Sequence, residues 1–158
     1  MKKLLSLFCA LVALSGCSTF GADGGLFSGA DCESRLARDF VENTTDTVFF
    51  AFDSSSLSAE AQAALDTQVA WLKKHDDVNV IVQGHCDDRG TREYNMALGE
   101  RRAKAVESYL ITNGVKANQL EAVSYGKEMP IKTGHDETSW KENRRVEINY
   151  EAVPPLLK

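Results

Sequence analysis

The chain carries no excess of positive charge: 18 Lys and Arg stand against 23 Asp and Glu, a formal net of −5 at pH 7. With no basic stripe, it lacks the footprint of a nucleic-acid binder. It has no His-Glu-x-x-His segment and only three histidines, so a zinc hydrolase has no motif to build on. It has no Gly-x-Ser-x-Gly elbow and no other paired Ser, His and Asp order, which removes the common serine hydrolases. His85, Asp87, Asp88 and His135 are the only residues from which an enzyme reading starts, and they form no dense ligand set. Four cysteines include no Cys-x-x-Cys, so a structural zinc is not expected. Neither cofactor nor catalytic residue is expected. No internal repeat is apparent. Only one long apolar run exists, and it is short for a transmembrane helix.

That run is at the start. Lys2 and Lys3 form a positive head, residues 4–14 are nearly all apolar, and Ser15 and Gly16 are small. Together they read as a secretory signal over residues 1–16. The tetrad Leu14-Ser15-Gly16-Cys17 resembles the bacterial lipobox. The resemblance implies cleavage before Cys17, acylation of its sulfur and new amino terminus, and anchoring there. Each buried methylene contributes ~0.8 kcal/mol, so several acyl chains hold stably. Ser18, where Asp commonly retains a lipoprotein in the inner membrane, points to the outer membrane. Cys9 leaves with the signal. Cys32 and Cys86 remain in a compartment that permits disulfides, and a bridge or two free thiols are both open.

Residues 18–31 are mostly Ser, Thr, Gly, Ala and Asp, so residues 17–43 are expected to be a lipidated end and a flexible tether. One domain is expected over 44–150, with a tail at 151–158. Residues 47–52 are β-branched and aromatic and predict a first strand. Ser58 is placed to cap a helix over 59–74, with Leu57, Ala61, Leu65, Val69 and Leu72 on its apolar face. A strand is expected at 78–83, a polar loop at 84–92, and a helix at 94–112 stopped by Asn113-Gly114. Strands at 120–125 and 145–150 flank a short helix that starts at Asp136 or Thr138. The alternation implies an α/β sandwich, a sheet covered by helices. The tryptophans, the phenylalanines and Tyr125 are expected in the core, and His85 at a loop edge bonded to backbone.

The loop Gly84-His-Cys-Asp-Asp-Arg-Gly90 follows the second strand, a favoured ligand position in α/β sheets. Asn95, Leu98 and Arg102 share one face of the next helix. Asp87 and Arg102 held near each other would read a zwitterion: Arg takes a carboxylate, Asp an ammonium. From spacing alone, a structural Asp87–Arg102 ion pair that fixes the loop is the favoured reading, since structural ion pairs are common.

Several blocks fall in order: Phe49-Phe-Ala-Phe-Asp53, Gly84-His-Cys-Asp-Asp-Arg-Gly90, Glu93-Tyr-Asn-Met-Ala-Leu-Gly99, Arg101-Arg-Ala103, Ser124-Tyr-Gly126 and Asn143-Arg-Arg-Val146. Over residues 44–150 the chain resembles the OmpA-type peptidoglycan-binding domain. The resemblance implies a βαβαβ(α)β two-layer sandwich with a mixed sheet, no enzymatic activity, and binding of the meso-diaminopimelate side chain of peptidoglycan. It implies that Asp87 and Arg102 clamp the ligand, that Phe52 and Asp53 border the pocket, and that Asn95 and Leu98 form its helical wall. Asn143 with Arg144 or Arg145 matches the basic motif before the last strand. Cys86 departs from the family's usual Thr. Lipid-anchored members also bind TolB and join the Tol machinery in cell division, the partner the resemblance implies here. A lipoprotein of the same ligand without a Tol role is the alternative.

Overall fold

The computed structural model describes residues 44–151 together with Arg35, Arg38, Asp39, Phe40 and Glu42; nothing is described of the side chains of Tyr150 and Glu151. The signal, Cys17, Cys32 and the tail after Glu151 lie outside the described residues. The elements run β1 (Thr47–Phe49), α1 (Ala59–Leu72), β2 (Asn79–His85), α2 (Arg92–Thr112), a 3-10 turn (Ala117–Gln119), β3 (Leu120–Gly126), α3 (Glu137–Asn143) and β4 (Arg145–Glu151). Four strands form one sheet in the order β1-β4-β2-β3. β2 and β3 are parallel, and β4 is antiparallel to both β1 and β2. The expected mixed-sheet α/β sandwich is the observed fold.

Each of α1, α2 and α3 begins where a short polar side chain replaces a missing backbone partner. Ser58 accepts from the Ala61 amide, Thr91 from Tyr94 and Asp136 from Ser139. Along β4, Val146 and Ile148 are buried in the core, while Arg145 and Glu147 project from the opposite face. Val80 and Val82 of β2 meet Leu65 and Leu72 of α1 and Val106 and Leu110 of α2 in the same core.

Two close approaches fix this packing. α2 crosses the sheet with Gly99 against Gly84, where a Cβ on either would collide with the backbone of the other. The second involves Phe40, which is 1% exposed. Its ring meets Trp71 edge-on at 5.0 Å, and the Trp71 indole N–H donates to Asp39 at 2.6 Å. The folded body therefore starts before residue 44, which corrects the tether expected to run through 43: Phe40 has apolar surface to lose, and α1 offers a partner.

Two other expectations change. β1 stops at Phe49 rather than 52, because the carbonyls of Ala51 and Ser54 are taken by a side chain, described below, instead of by a neighbouring strand. β2 runs on through His85, pairing Gly84 with Ser124 and His85 with Gly126 across a bulge, so the loop starts at Cys86 and not at Gly84.

Phe40→Ala is expected to lower unfolding free energy by ~3 kcal/mol through the cavity it leaves. Urea denaturation checks this, and a loss under ~1 kcal/mol would count against a docked Phe40. Gly84→Ala is expected to cost ~2 kcal/mol or more by forcing α2 off the sheet; an unchanged midpoint in the same assay would contradict the close approach.

Candidate functional site

The C-terminal end of β2, the β1–α1 loop and the first turns of α2 enclose a pocket of about 180 Å³. Phe52, Asp53, Asp87, Asn95, Leu98 and Arg102 line it, as does Cys86. Six of the nine expected ligand-contact residues are thus brought together. Arg89, Gly90 and Tyr94 also line it and were not expected. The signals were present: Arg89 is in the same loop as Asp87, and Tyr94 precedes Asn95 on α2. A loop arginine beside two aspartates reads as solvated charge, however, and nothing local distinguishes it.

Arg102 is 1% exposed yet keeps its charge compensated. Its Nε donates to the Ser54 carbonyl at 2.8 Å, Nη1 to His85 at 2.8 Å and Nη2 to Ala51 at 3.1 Å. Nη1 also approaches Cys86 Sγ at 3.4 Å. Burial pushes its pKa down, against the opposing influence of Cys86 and Asp87. Arg102 does not bond Asp87, so the simple structural ion pair between them is not the arrangement.

Asp87 is instead paired twice. Its Oδ2 accepts from Arg89 Nη2 at 2.5 Å and Nε at 3.2 Å, and Arg144 Nη1 lies 3.5 Å away. The hydrogen bond to Asp87 raises the Arg89 pKa above its ordinary value. The Arg89 guanidinium lies 4.0 Å from the Phe52 ring centre and 4.1 Å from that of Trp140, between two aromatic faces. Phe52, 60% exposed, borders the pocket as expected, whereas Phe49 is 49% exposed and Trp140 half-buried, which corrects their expected place in the core. Trp140 is held by its N–H donating to Asp88 at 2.6 Å. Across the mouth, the Tyr94 hydroxyl donates to Asp53, a residue held at φ 51°.

Asn143, Arg144 and Arg145 do not line the pocket. Asn143 holds the preceding loop through the amides of Ile131 and Lys132. Arg144 supports Asp87 from behind, donating also to the Phe50 carbonyl at 3.1 Å and to Glu137 at 2.8 Å. Arg145 is the next residue along, so it points to the other face, where it meets Glu147 at 2.5 Å and the Met129 carbonyl at 3.3 Å. Of the two arginines left open by sequence, only Arg144 reaches the site.

Cys86 is a free buried thiol whose pKa burial raises. Its Sγ faces Asn95 and Arg102, inside the pocket wall. His85 is not at a loop edge. It is 2% exposed and stacked on Tyr125 at 5.4 Å. Burial and the nearby Arg145 charge push its pKa down to about 4, with Glu147 opposing. Among the described residues no cluster of His, Cys, Asp and Glu could hold a metal ion. No helix among them is long and apolar enough to cross a membrane.

An acid flanked by arginines at a strand end, on this sheet order, defines a class. The OmpA family matches residues 49–144, and the chain belongs to that family. Within it, the similar proteins include peptidoglycan-associated lipoproteins. That of Pseudomonas aeruginosa is 46% identical over 92% of this chain and 95% of its own length. That of Rhizobium meliloti is 44% identical over 85% of this chain and 80% of its own. The crystal structure of the peptidoglycan-associated lipoprotein from Burkholderia pseudomallei superposes with a TM-score of 0.67 at 47% identity, covering 68% of this chain and 91% of that one. The C-terminal domain of Helicobacter pylori MotB gives 0.64 at 27% identity, over 69% and 86% respectively.

His85 generates a pH prediction. Its folded pKa is below the unfolded value of about 6.5, so between about 4 and 6.5 the unfolded chain binds the extra proton. Its contribution to stability is present above that window and lost as pH falls through it. Stability measured by urea from pH 7 to pH 4 is expected to fall more steeply for the wild type than for His85→Gln. Parallel curves would contradict a neutral buried ring.

Proposed function

We propose that this protein is a lipid-anchored, non-enzymatic linker that grips peptidoglycan noncovalently at meso-diaminopimelate and ties the outer membrane to the cell wall. The observation that carries this reading is the pocket itself. One carboxylate, Asp87, sits among Arg89, Arg102 and Arg144 beside an apolar wall at Leu98 and Phe52. A free amino-acid centre has the ammonium and carboxylate that such a site complements, and diaminopimelate carries one on a short aliphatic stem. The names of the relatives support it, since they are peptidoglycan-associated lipoproteins. No reacting group is needed for a grip of this kind.

The remainder follows from the sequence. Residues 1–16 are the signal, Cys17 carries the lipid, and the segment after it spans the gap to the folded domain in the periplasm. On this reading TolB and the Tol proteins are its partners in cell division and envelope integrity, as the family resemblance implies.

Cosedimentation of the folded domain with peptidoglycan sacculi tests the grip. Wild-type protein is expected to pellet with the sacculi, and Asp87→Asn to weaken binding about tenfold or more by removing a charge-assisted contact. Sacculi from a wall with lysine in place of diaminopimelate are expected to bind poorly. Equal binding by wild type and Asp87→Asn would defeat the reading. Arg102→Ala is not a clean control, because three backbone carbonyls depend on that side chain.

A further inference from the structure

β1 is an outer strand of the sheet, with a neighbour on one side only. That side is spent on β4. The Asp46 carbonyl accepts from the Ile148 amide at 2.8 Å, and the Phe50 amide donates to the Arg144 carbonyl at 2.8 Å. Antiparallel residues alternate between bonding the partner strand and facing away from it, so Val48, opposite Val146, also faces β4. The amides and carbonyls of Thr47 and Phe49 therefore point outward, away from the sheet. Proteins often blunt such an edge with lysine or proline, and residues 45–50 hold neither. The open stretch has definite ends. The Thr45 carbonyl is taken by the Gln68 side-chain amide and the Ala51 carbonyl by Arg102.

Two grooves flank this edge. With α1, β1 bounds a hollow of about 220 Å³, lined by Glu60, Ala61 and Ala64. With α3, Phe49 bounds one of about 480 Å³, lined by Lys141. The Phe49 ring stays half exposed between them and the solvent. An added strand sends alternate side chains to opposite faces, so it would fill the two grooves in turn. Each groove also carries one unspent charge. Glu60 and Lys141 are exposed and have no ion pair among the described residues. The other charges beside Lys141 are engaged, Glu137 with Arg144 at 2.8 Å and Glu142 with Lys132 at 3.8 Å.

We propose that the open edge of β1 is a docking site for an extended peptide of a partner protein, which adds to the sheet beside β1 and antiparallel to it. Hydrogen bonds to the outward groups of Thr47 and Phe49 hold the peptide, and its side chains give selectivity. The residue opposite Phe49 is apolar and covers the ring as a cross-strand neighbour. The next residue turns into the α1 groove, where the alanines leave room for a long side chain and Glu60 selects a basic one. An acidic residue on the Phe49 face meets Lys141. Thr47, Phe49, Glu60 and Lys141 are all outside the lining of the Asp87 pocket. The edge therefore takes its peptide whether or not that pocket is filled.

The probe is a fluorescein-labelled peptide, Glu-Ser-Val-Lys-Val, with its carboxyl end amidated. It is titrated with the full mature chain in detergent micelles and followed by anisotropy. Wild type is expected to bind it. Thr47→Pro is expected to weaken binding about tenfold or more, because proline removes an outward amide and leaves the β4 ladder whole. Lys141→Glu is expected to weaken binding about threefold and to prefer a second peptide in which Lys replaces the Glu. This charge swap carries the test if Thr47→Pro fails to fold. No binding by wild type overturns the proposal. So does equal binding by folded Thr47→Pro, or an unchanged peptide preference in Lys141→Glu. A second copy of the chain is the rival occupant. Sedimentation equilibrium in density-matched detergent is expected to show a monomer without peptide, and a dimer that Thr47→Pro abolishes would give the edge to self-association instead.

Discussion

The buried guanidinium of Arg102 is the constraint on which the site depends. A cation nine-tenths or more removed from water is costly unless its donors are satisfied. Here satisfaction comes from carbonyls of Ala51, Ser54 and His85, on two segments far apart in sequence. A single α2 side chain therefore closes the β1–α1 loop onto the end of β2. The loop's irregular backbone, with Asp53 at positive φ, is tolerated because its carbonyls have that partner. Asp87, Phe52 and Asp53 owe their positions to this knot, although none of them bonds Arg102 directly.

Most of the architecture was legible. Ser58 and Asp136 announce two helix starts by chemistry that needs no tertiary context, and the alternation of Val146 and Ile148 with charged neighbours announces β4, whereas the Thr91 cap starts α2 two residues before the expected Tyr94. Asp87, Asn95, Leu98 and Arg102 were legible as a group because helical spacing and a strand-end loop converge on them. What stayed hidden depends on long-range partners. Phe40 is a lone aromatic in a polar stretch, and only Trp71 explains it. Arg144 and Arg145 are told apart by their partners, since Arg144 reaches Asp87 and Glu137 and Arg145 reaches Glu147 and the Met129 carbonyl. Arg89 is explained by Phe52 and Trp140, which arrive from opposite ends of the domain.

Two kinds of arginine thus meet at one pocket. One is committed to backbone and lends shape; the others face carboxylates and lend charge. Arg144 also bridges Asp87, Glu137 and the Phe50 carbonyl, so α3 and the segment just past β1 are both tied to the site. Cys86 fits this wall as a small, weakly bonding group whose sulfur faces inward between Asn95 and Arg102.

The docking of Phe40 on Trp71 has a mechanical consequence. Phe40 is next to the C-terminal end of α1 and the start of β1, whereas the pocket is at the far end of β1 and β2. Tension between a membrane anchor and a captured wall would then run along the strands rather than across them. The β1–β4 ladder pairs Thr47, Val48 and Phe49 with Glu147, Val146 and Arg145, and such a pull loads those rungs in shear. Rungs in shear share the load and fail together, whereas rungs pulled crosswise unzip one by one. In the proposed linker role, the aromatic contact at the base would be the first element to feel the force, a clasp ahead of the sheet.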